Sequence, residues 1–372
     1  MQWSLLLNDY TFQNVIVGAS LLGMISGALG TFAVLRRQSL LGDAISHAAL
    51  PGICLGFIIS GGRSMGSIML GALTTGALAA LVMLALTRMS RLKTDAALGI
   101  CLSVFFAVGI VLLTYLQGTN NASQGGLEAF LFGQAAATLR SDLWLMGSIT
   151  LGALLLLAAL WKQAKLVTFD AEYARTLGIP ATFIEALLTV MVTLAVVVGL
   201  QMVGVVLMAA MIVAPAAAAR QWSRHLGSMV VLAAGFGVVS GITGATISTL
   251  SRGLATGPLI ILTASAIVIV SLAIAPQRGL LWGVLKHYRQ KWTLHKQQML
   301  YTMYKWQLAN ASSHTRSQAQ GLLWPRLALL RLYREGFLAR EHSDRSYSGW
   351  SLTKSGITEA QRLTAVLEGK IQ

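Results

Sequence analysis

Apolar runs of about twenty residues recur along the first 275 residues of the chain, separated by short polar segments. A helix needs about 20 apolar residues to cross the hydrocarbon core of a bilayer. The pattern therefore predicts about nine transmembrane helices. Their predicted spans are 14–35, 39–60, 66–87, 95–116, 141–161, 182–200, 204–220, 226–249 and 256–275.

The composition favours an integral membrane protein over a soluble one. Of the 372 residues, 55% are hydrophobic and 11% are charged, and the mean hydropathy is +0.67. Both cysteines, Cys54 and Cys101, fall inside apolar runs, which argues against a disulfide framework or a cysteine-rich metal site. The N-terminus lacks the basic start of a cleavable signal peptide. The predicted fold class is an all-α polytopic membrane protein.

Basic residues between the predicted spans are concentrated on one side of the membrane. Ten lie in the loops of one side and three in those of the other, and short basic loops remain in the cytoplasm. The N-terminus is therefore expected outside, and everything after Pro276 is expected in the cytoplasm. The ten are Arg36, Arg37, Arg88, Arg91, Lys93, Lys162, Lys165, Arg175, Arg220 and Arg224, and the three are Arg63, Arg140 and Arg252.

Two of the predicted loops contain more than a simple connection. The outer loop 117–140 includes a short apolar piece, about 127–138, that could be re-entrant or interfacial. In the cytoplasmic loop 162–181, Asp170 can cap a short helix that Gly178 ends, and Pro180 bars its continuation. This short helix suits docking to a soluble partner, although a well-formed turn would show the same signals.

One pair of ionisable residues stands out at the start of the second predicted span. Asp43 and His47 are four residues apart, so a helix places them side by side on one face. Ionisable groups within membrane segments usually face a protein interior or a water-filled path. A carboxylate and an imidazole together supply half of a divalent-metal site. The alternative is that Asp43 caps the helix and His47 packs in the core.

Two further residues of the same span are candidates for lining a path. Cys54 lies seven residues after His47 and returns to the same helical face. Pro51 removes one backbone hydrogen bond and is expected to loosen or kink the helix. We interpret both as possible pore-lining residues.

The last hundred residues differ from the rest in charge and pattern. Residues 277–372 contain fifteen Lys or Arg and five Asp or Glu, so they carry +10 of the total charge of +15. Their pattern predicts a linker helix over 281–311, and then a helix, a hairpin and a last helix over 312–372. This order, with a basic surface, is typical of a small α+β winged-helix domain that binds nucleic acid. An anionic membrane surface would also favour positive charge.

The motifs that the sequence lacks restrict its activity. It contains no G-x-x-x-x-G-K-[ST] stretch, so it does not bind ATP through a P-loop. It also contains no H-E-x-x-H and no G-x-S-x-G. We therefore do not expect an enzyme.

The stretch 37–52, RQSLLGDAISHAALPG, resembles the most characteristic segment of the permease subunits of ABC importers for manganese, iron and zinc. Other similar pieces follow in the expected order over 1–280: 131–133 (LFG), 174–179 (ARTLGI), 213–218 (VAPAAA) and 253–258 (GLATGP).

The resemblance implies a multi-pass permease of the bacterial cytoplasmic (inner) membrane with several partners. These are a second permease, identical or homologous, two ABC ATPase subunits and an extracytoplasmic metal-binding protein, besides membrane lipid. It implies that Asp43 and His47 contact the transported ion, with Mn²⁺ or Fe²⁺ favoured and Zn²⁺ as the alternative, and that no cofactor is bound permanently. It also implies that the ATPase-coupling residues are Ala174, Arg175, Thr176, Leu177, Gly178 and Ile179.

The tail is similar to the winged helices of diphtheria-toxin-repressor-type metal regulators, through 329–338 (LLRLYREGFL) and 352–360 (LTKSGITEA). This implies a metal-responsive role, with DNA as a possible partner, although a structural appendage that contacts the ATPase or the lipid is an alternative.

Two other functions of the whole protein remain open at this point. One is a permease for a metal chelate such as a siderophore or cobalamin, and the other is a membrane-anchored metal-responsive transcription regulator.

Overall fold

The computed structural model describes residues 9–61, 64–118, 133, 135, 138–250, 254–276, 279–309, 330, 332–341 and 349–367. The chain forms two compact units, Met1–Leu280 and Leu281–Gln372. The first unit is helical throughout its described secondary structure. Its helices are α1 Tyr10–Leu35, α2 Leu41–Ser60, α3 Met65–Met89, α4 Thr94–Gly118, α5 Arg140–Ala159, α6 Trp161–Phe169, α7 Ala171–Thr176, α8 Ala181–Val203, α9 Val205–Trp222, α10 Leu226–Leu250 and α11 Thr256–Ile274.

Eight of these helices, within the described residues, are long and apolar enough to cross a membrane. They are α1 to α5, α8, α10 and α11, and they coincide with eight of the nine predicted spans. The remaining predicted span, 204–220, is the 18-residue helix α9, which is not among the eight. Gly204, with φ of 88°, separates α9 from α8. A crossing by α9 therefore stays a prediction.

The core of the first unit is built around α1, which packs against α8, α9 and α10. The contact between α1 and α10 is so close that their backbones touch. A Cβ atom added to Gly237 would overlap the carbonyl oxygen of Gly23, and one added to Gly27 would overlap the carbonyl oxygen of Ala233. Small residues allow membrane helices to approach in this way, so dispersion forces act along the full contact.

The second unit contains a long helix, a pair of antiparallel strands and a further helix. These are α12 Leu280–Ala309, β1 Leu338–Glu341, β2 Gly349–Leu352 and α13 Lys354–Leu367, with Leu338 opposite Leu352. One buried cluster joins Met299 and Leu300 of α12 to Leu332, Leu338 and Ala360. The C-terminal half of the predicted linker helix thus packs with the hairpin and α13.

Several predicted features lie largely outside the described residues. These are the short apolar piece of the outer loop, most of the predicted helix at 322–334, and the turn between the two strands. The winged-helix interpretation and the boundary at 311 and 312 stay predictions.

The close contact between α1 and α10 gives a test of the packing. We expect Gly237→Ala to destabilise the protein by about 1–3 kcal/mol, because the added methyl group forces the two backbones apart. Thermal unfolding of the purified protein in detergent measures the effect. Gly235→Ala is the matched control, since a Cβ there meets no atom within 4 Å. Equal melting temperatures for the two variants would contradict the observed contact.

Candidate functional site

Helix α2 brings Asp43 and His47 together near its N-terminal end. Asp43 lies in the first turn of the helix and His47 one turn later, and the distance from His47 Nε2 to Asp43 Oδ1 is 3.4 Å. The side chains retain 20% of their accessible surface for His47 and 36% for Asp43. Because most of α2 is buried, this exposed pair marks an opening in an otherwise closed helix face.

The capping alternative for Asp43 does not agree with the geometry. The N-cap position of α2 is Leu40, and no side chain there makes a capping hydrogen bond. Asp43 instead lies beside the imidazole, and its negative charge near the helix N-terminus is favoured by the helix dipole.

His47 is held by an aromatic contact on its other side. Its ring meets Phe106 of α4 edge to face, with ring centroids 4.7 Å apart and planes at 78°. The Nδ1 atom is buried and has no hydrogen-bond partner in the described part of the chain. The nitrogen nearer Asp43, Nε2, is therefore the one placed to act together with the carboxylate.

The pair offers one carboxylate and one imidazole, which suit divalent transition metals. No group of three or more His, Cys, Asp and Glu side chains that could hold a metal occurs among the residues that the structure describes. A metal ion at Asp43 and His47 would therefore need ligands besides these two side chains.

Cys54 and Pro51 are both buried within α2 of the single chain. The sulfur of Cys54 lies 4.0 Å from the carbonyl oxygen of Gly109 in α4, so it faces a neighbouring helix. The assigned helix continues through Pro51 without a break. A pore-lining role for either residue stays a prediction.

The short helix predicted in loop 162–181 is present as α7. The carboxylate of Asp170 accepts a hydrogen bond from the backbone N–H of Tyr173 at 2.8 Å, which caps its start. Gly178, with φ of 77°, reverses the chain after the helix, and α8 begins directly after Pro180. Ala174 is buried whereas Tyr173 and Leu177 are 53% and 56% exposed. The predicted cap and stop are confirmed, and the segment presents apolar side chains outward.

A cluster of charged residues joins the ends of α1, α3 and α8, close to α7. Arg36 donates a hydrogen bond to the backbone carbonyl oxygen of Glu185 at 3.4 Å, and Arg88 forms an ion pair with the Glu185 carboxylate. Burial lowers the pKa of the Arg36 guanidinium, and the nearby carboxylate of Glu185 partly opposes this effect.

Sequence reasoning missed this cluster. Glu185 lies within a few residues of a predicted span end, where an acid is ordinary, and its partners are 97 and 149 residues away along the chain. The only available signal was that Arg36, Arg88 and Glu185 all fall at span ends assigned to the same side of the membrane.

Comparisons with known proteins agree with this architecture. Residues 8–275 match the ABC 3 transport family. The manganese transport system membrane protein MntC of Bacillus subtilis is 45% identical over 293 residues, which cover 79% of this chain and 67% of that protein. The zinc transport system membrane protein TroC of Treponema pallidum is 44% identical over 284 residues, covering 76% and 95%.

A solved structure is similar over the same region. PsaBC from Streptococcus pneumoniae in complex with Fab superimposes with a TM-score of 0.65 at 36% identity. The match covers 73% of this chain and 95% of that one.

The burial of the two thiols gives a test of whether Cys54 lines a water-filled path. We expect a membrane-permeant maleimide to label neither Cys54 nor Cys101 in the folded protein, because both are buried, and to label both after denaturation. A cysteine introduced at the exposed end of α3, Ser90→Cys, is the positive control. Rapid labelling of Cys54 in the native protein would show that it faces water, as a pore-lining residue must.

Proposed function

Since this chain belongs to the ABC 3 transport family, we propose that Asp43 and His47 bind the metal ion that it transports. The chain is the membrane-spanning permease subunit of a metal-ion importer, and ATP hydrolysis belongs to a separate subunit. Manganese and zinc are the proposed cargoes, because relatives are named as manganese or zinc transport proteins. Iron(II) stays a prediction.

The observation that carries this proposal is the geometry of the Asp43–His47 pair. Its oxygen and nitrogen donors lie 3.4 Å apart, partly exposed, in the N-terminal half of a helix that is mostly buried. Oxygen donors suit Mn²⁺, and imidazole also suits Zn²⁺. Both groups bind a metal in their deprotonated forms, so binding competes with protons.

A site of two ligands in each chain suits transport better than storage. A conduction site must attract the ion and still release it. We propose that the same pair of a second permease faces this one and supplies further ligands. The ion would then pass between the two chains when ATP binding and hydrolysis rearrange them.

The remaining partners follow from the importer architecture. We propose that α7, together with Gly178 and Ile179 that follow it, docks on the ATPase through the exposed side chains of Tyr173 and Leu177. Because α8 begins after Pro180, a displacement of α7 would move a transmembrane helix directly. An extracytoplasmic binding protein would deliver the metal on the opposite side.

The C-terminal unit is proposed to be a separate winged-helix-like domain. Its support is the shared buried cluster of α12, the strand pair and α13. Two histidines of the tail, His314 and His342, lie outside the described residues. Contact with DNA stays a prediction.

Metal uptake tests the role of the pair. We expect Asp43→Asn and His47→Gln each to lower uptake of manganese or zinc about tenfold or more, because each removes one ligand atom of a weak site. Cells expressing the complete transporter, with matched surface expression, would be assayed with the two metals and iron(II) in competition.

Two variants of the same chemistry control for charge and histidine content. Asp95→Asn removes an exposed carboxylate from the first turn of α4, and His225→Gln removes an exposed histidine before α10. Both should retain uptake near that of the wild type. Normal uptake in Asp43→Asn and His47→Gln would show that the pair has a packing role and does not bind the transported metal.

The orientation of the chain has its own test. We propose that the N-terminus is outside and the C-terminus is in the cytoplasm, which requires an odd number of crossings and therefore includes α9. A fluorescent protein at the C-terminus should fold and fluoresce, and an epitope at the N-terminus should be accessible to antibody on spheroplasts. Both tags on one side would show that α9 does not cross.

A further inference from the structure

A polar cavity of about 520 Å³ opens beside the charged cluster at the end of the bundle that carries α7. We call it the arginine pocket, and its charged lining residues are Arg36, Arg88, Arg175 and Glu185. They come from the turn after α1 and from α3, α7 and α8, so the fold and not the local sequence assembles the pocket.

The charges in the arginine pocket do not balance. Among its described lining residues there are three guanidinium groups and one carboxylate, which leaves two positive charges in excess. Glu185 is already engaged by Arg88 and, through its backbone, by Arg36. Arg175 makes no hydrogen bond or ion pair through its side chain within the described residues. Arginine does not lose its proton in proteins, so the excess charge persists and attracts an anion.

The position of the arginine pocket identifies a source for that anion. Arg36 follows the last residue of α1, Arg88 lies one residue before the end of α3, and Glu185 is in the second turn of α8. Residues at the ends of spans lie at the level of the lipid headgroups. The rest of the described wall is mixed: it contains four polar and three apolar side chains, which are those of Gln38, Thr87, Thr94, Thr168, Met83, Leu84 and Val167.

We propose that the arginine pocket binds the phosphate group of an anionic phospholipid from the cytoplasmic leaflet. Guanidinium groups recognise phosphate through paired hydrogen bonds, and basic pockets between transmembrane helices on the cytoplasmic side bind acidic headgroups. The three apolar side chains provide contact for the glycerol and the first acyl carbons, which a free phosphate would not use. The assignment to the cytoplasmic leaflet rests on the proposed orientation, whereas the binding itself does not.

A bound headgroup would connect two parts of the permease. Arg175 belongs to α7, and Arg36 belongs to the turn that leads into α2 and its Asp43–His47 pair. A phosphate held by both would link the ATPase-coupling segment to the helix that carries the metal ligands.

Lipid titration of the purified transporter tests the proposal. The complete complex in neutral detergent would be titrated with phosphatidylglycerol, phosphatidylcholine or inorganic phosphate, and bound lipid would be counted by native mass spectrometry. We expect phosphatidylglycerol to bind in preference to phosphatidylcholine. Arg175→Gln should weaken its binding about fivefold, since each basic residue near the membrane surface contributes a comparable factor.

Two control variants distinguish binding in the arginine pocket from other effects. One controls for the general positive charge of the protein, and the other controls for damage to the fold. Arg224→Gln removes an exposed arginine elsewhere on the chain and should leave binding unchanged. Glu185→Gln removes the only carboxylate among the described residues of the arginine pocket, so the variant should bind phosphatidylglycerol at least as tightly as the wild type. If the Arg88–Glu185 ion pair only stabilised the fold, Glu185→Gln would instead be less stable and bind phosphatidylglycerol more weakly.

Several results would overturn the proposal. Equal binding of phosphatidylglycerol and phosphatidylcholine would show that the pocket does not select an anionic lipid. An equal loss of phosphatidylglycerol binding in Arg175→Gln and Arg224→Gln would show that general charge, and not the arginine pocket, determines binding. Displacement of the lipid by inorganic phosphate would identify a site for a soluble anion. Loss of the ATPase from Arg175→Gln with lipid binding intact would assign the arginine pocket to a carboxylate of that partner. Metal uptake is measured separately, so a failure here leaves the proposed metal site untouched.

Discussion

The organisation of this permease depends on where a charged side chain can lie in a membrane protein. A charge facing lipid is costly, so it must lie at the end of a span or turn toward the interior of the bundle. Asp43 and His47 lie near the start of α2 and face each other, and Glu185 lies near the start of α8 between two arginines. The same constraint therefore places both the proposed metal site and the charged cluster.

Close packing of small residues gives these sites a firm frame. Gly23 and Gly237 let α1 and α10 touch along their backbones, while α2 packs between α3 and α4. The buried hydroxyl groups of Ser26, Thr31 and Ser46 do not disturb the frame, because each donates to a carbonyl oxygen one turn earlier, as Ser46 does to Gly42 at 2.7 Å. Phe106 of α4 then fixes the imidazole of His47 from the side.

The proposed ATPase-coupling helix and the proposed metal pair are connected through short paths. The capped helix α7 passes into α8 through Gly178 and Pro180, and Glu185 of α8 contacts Arg36 and Arg88. Arg36 in turn lies only a few residues before α2. A movement of α7 therefore has a continuous route of covalent and polar contacts to the helix of the proposed metal pair.

The sequence determined the features that depend on local spacing. Apolar runs predicted the eight membrane-length helices, the four-residue spacing put Asp43 beside His47, and Asp170 with Gly178 predicted a short capped helix. Only the tertiary structure decided which span ends meet. It brought Arg88 and Arg36 to Glu185 across 97 and 149 residues, and it turned Cys54 toward Gly109. Helical periodicity fixes which residues share a face within one helix, but the neighbours of that face are chosen by packing between helices far apart in the chain.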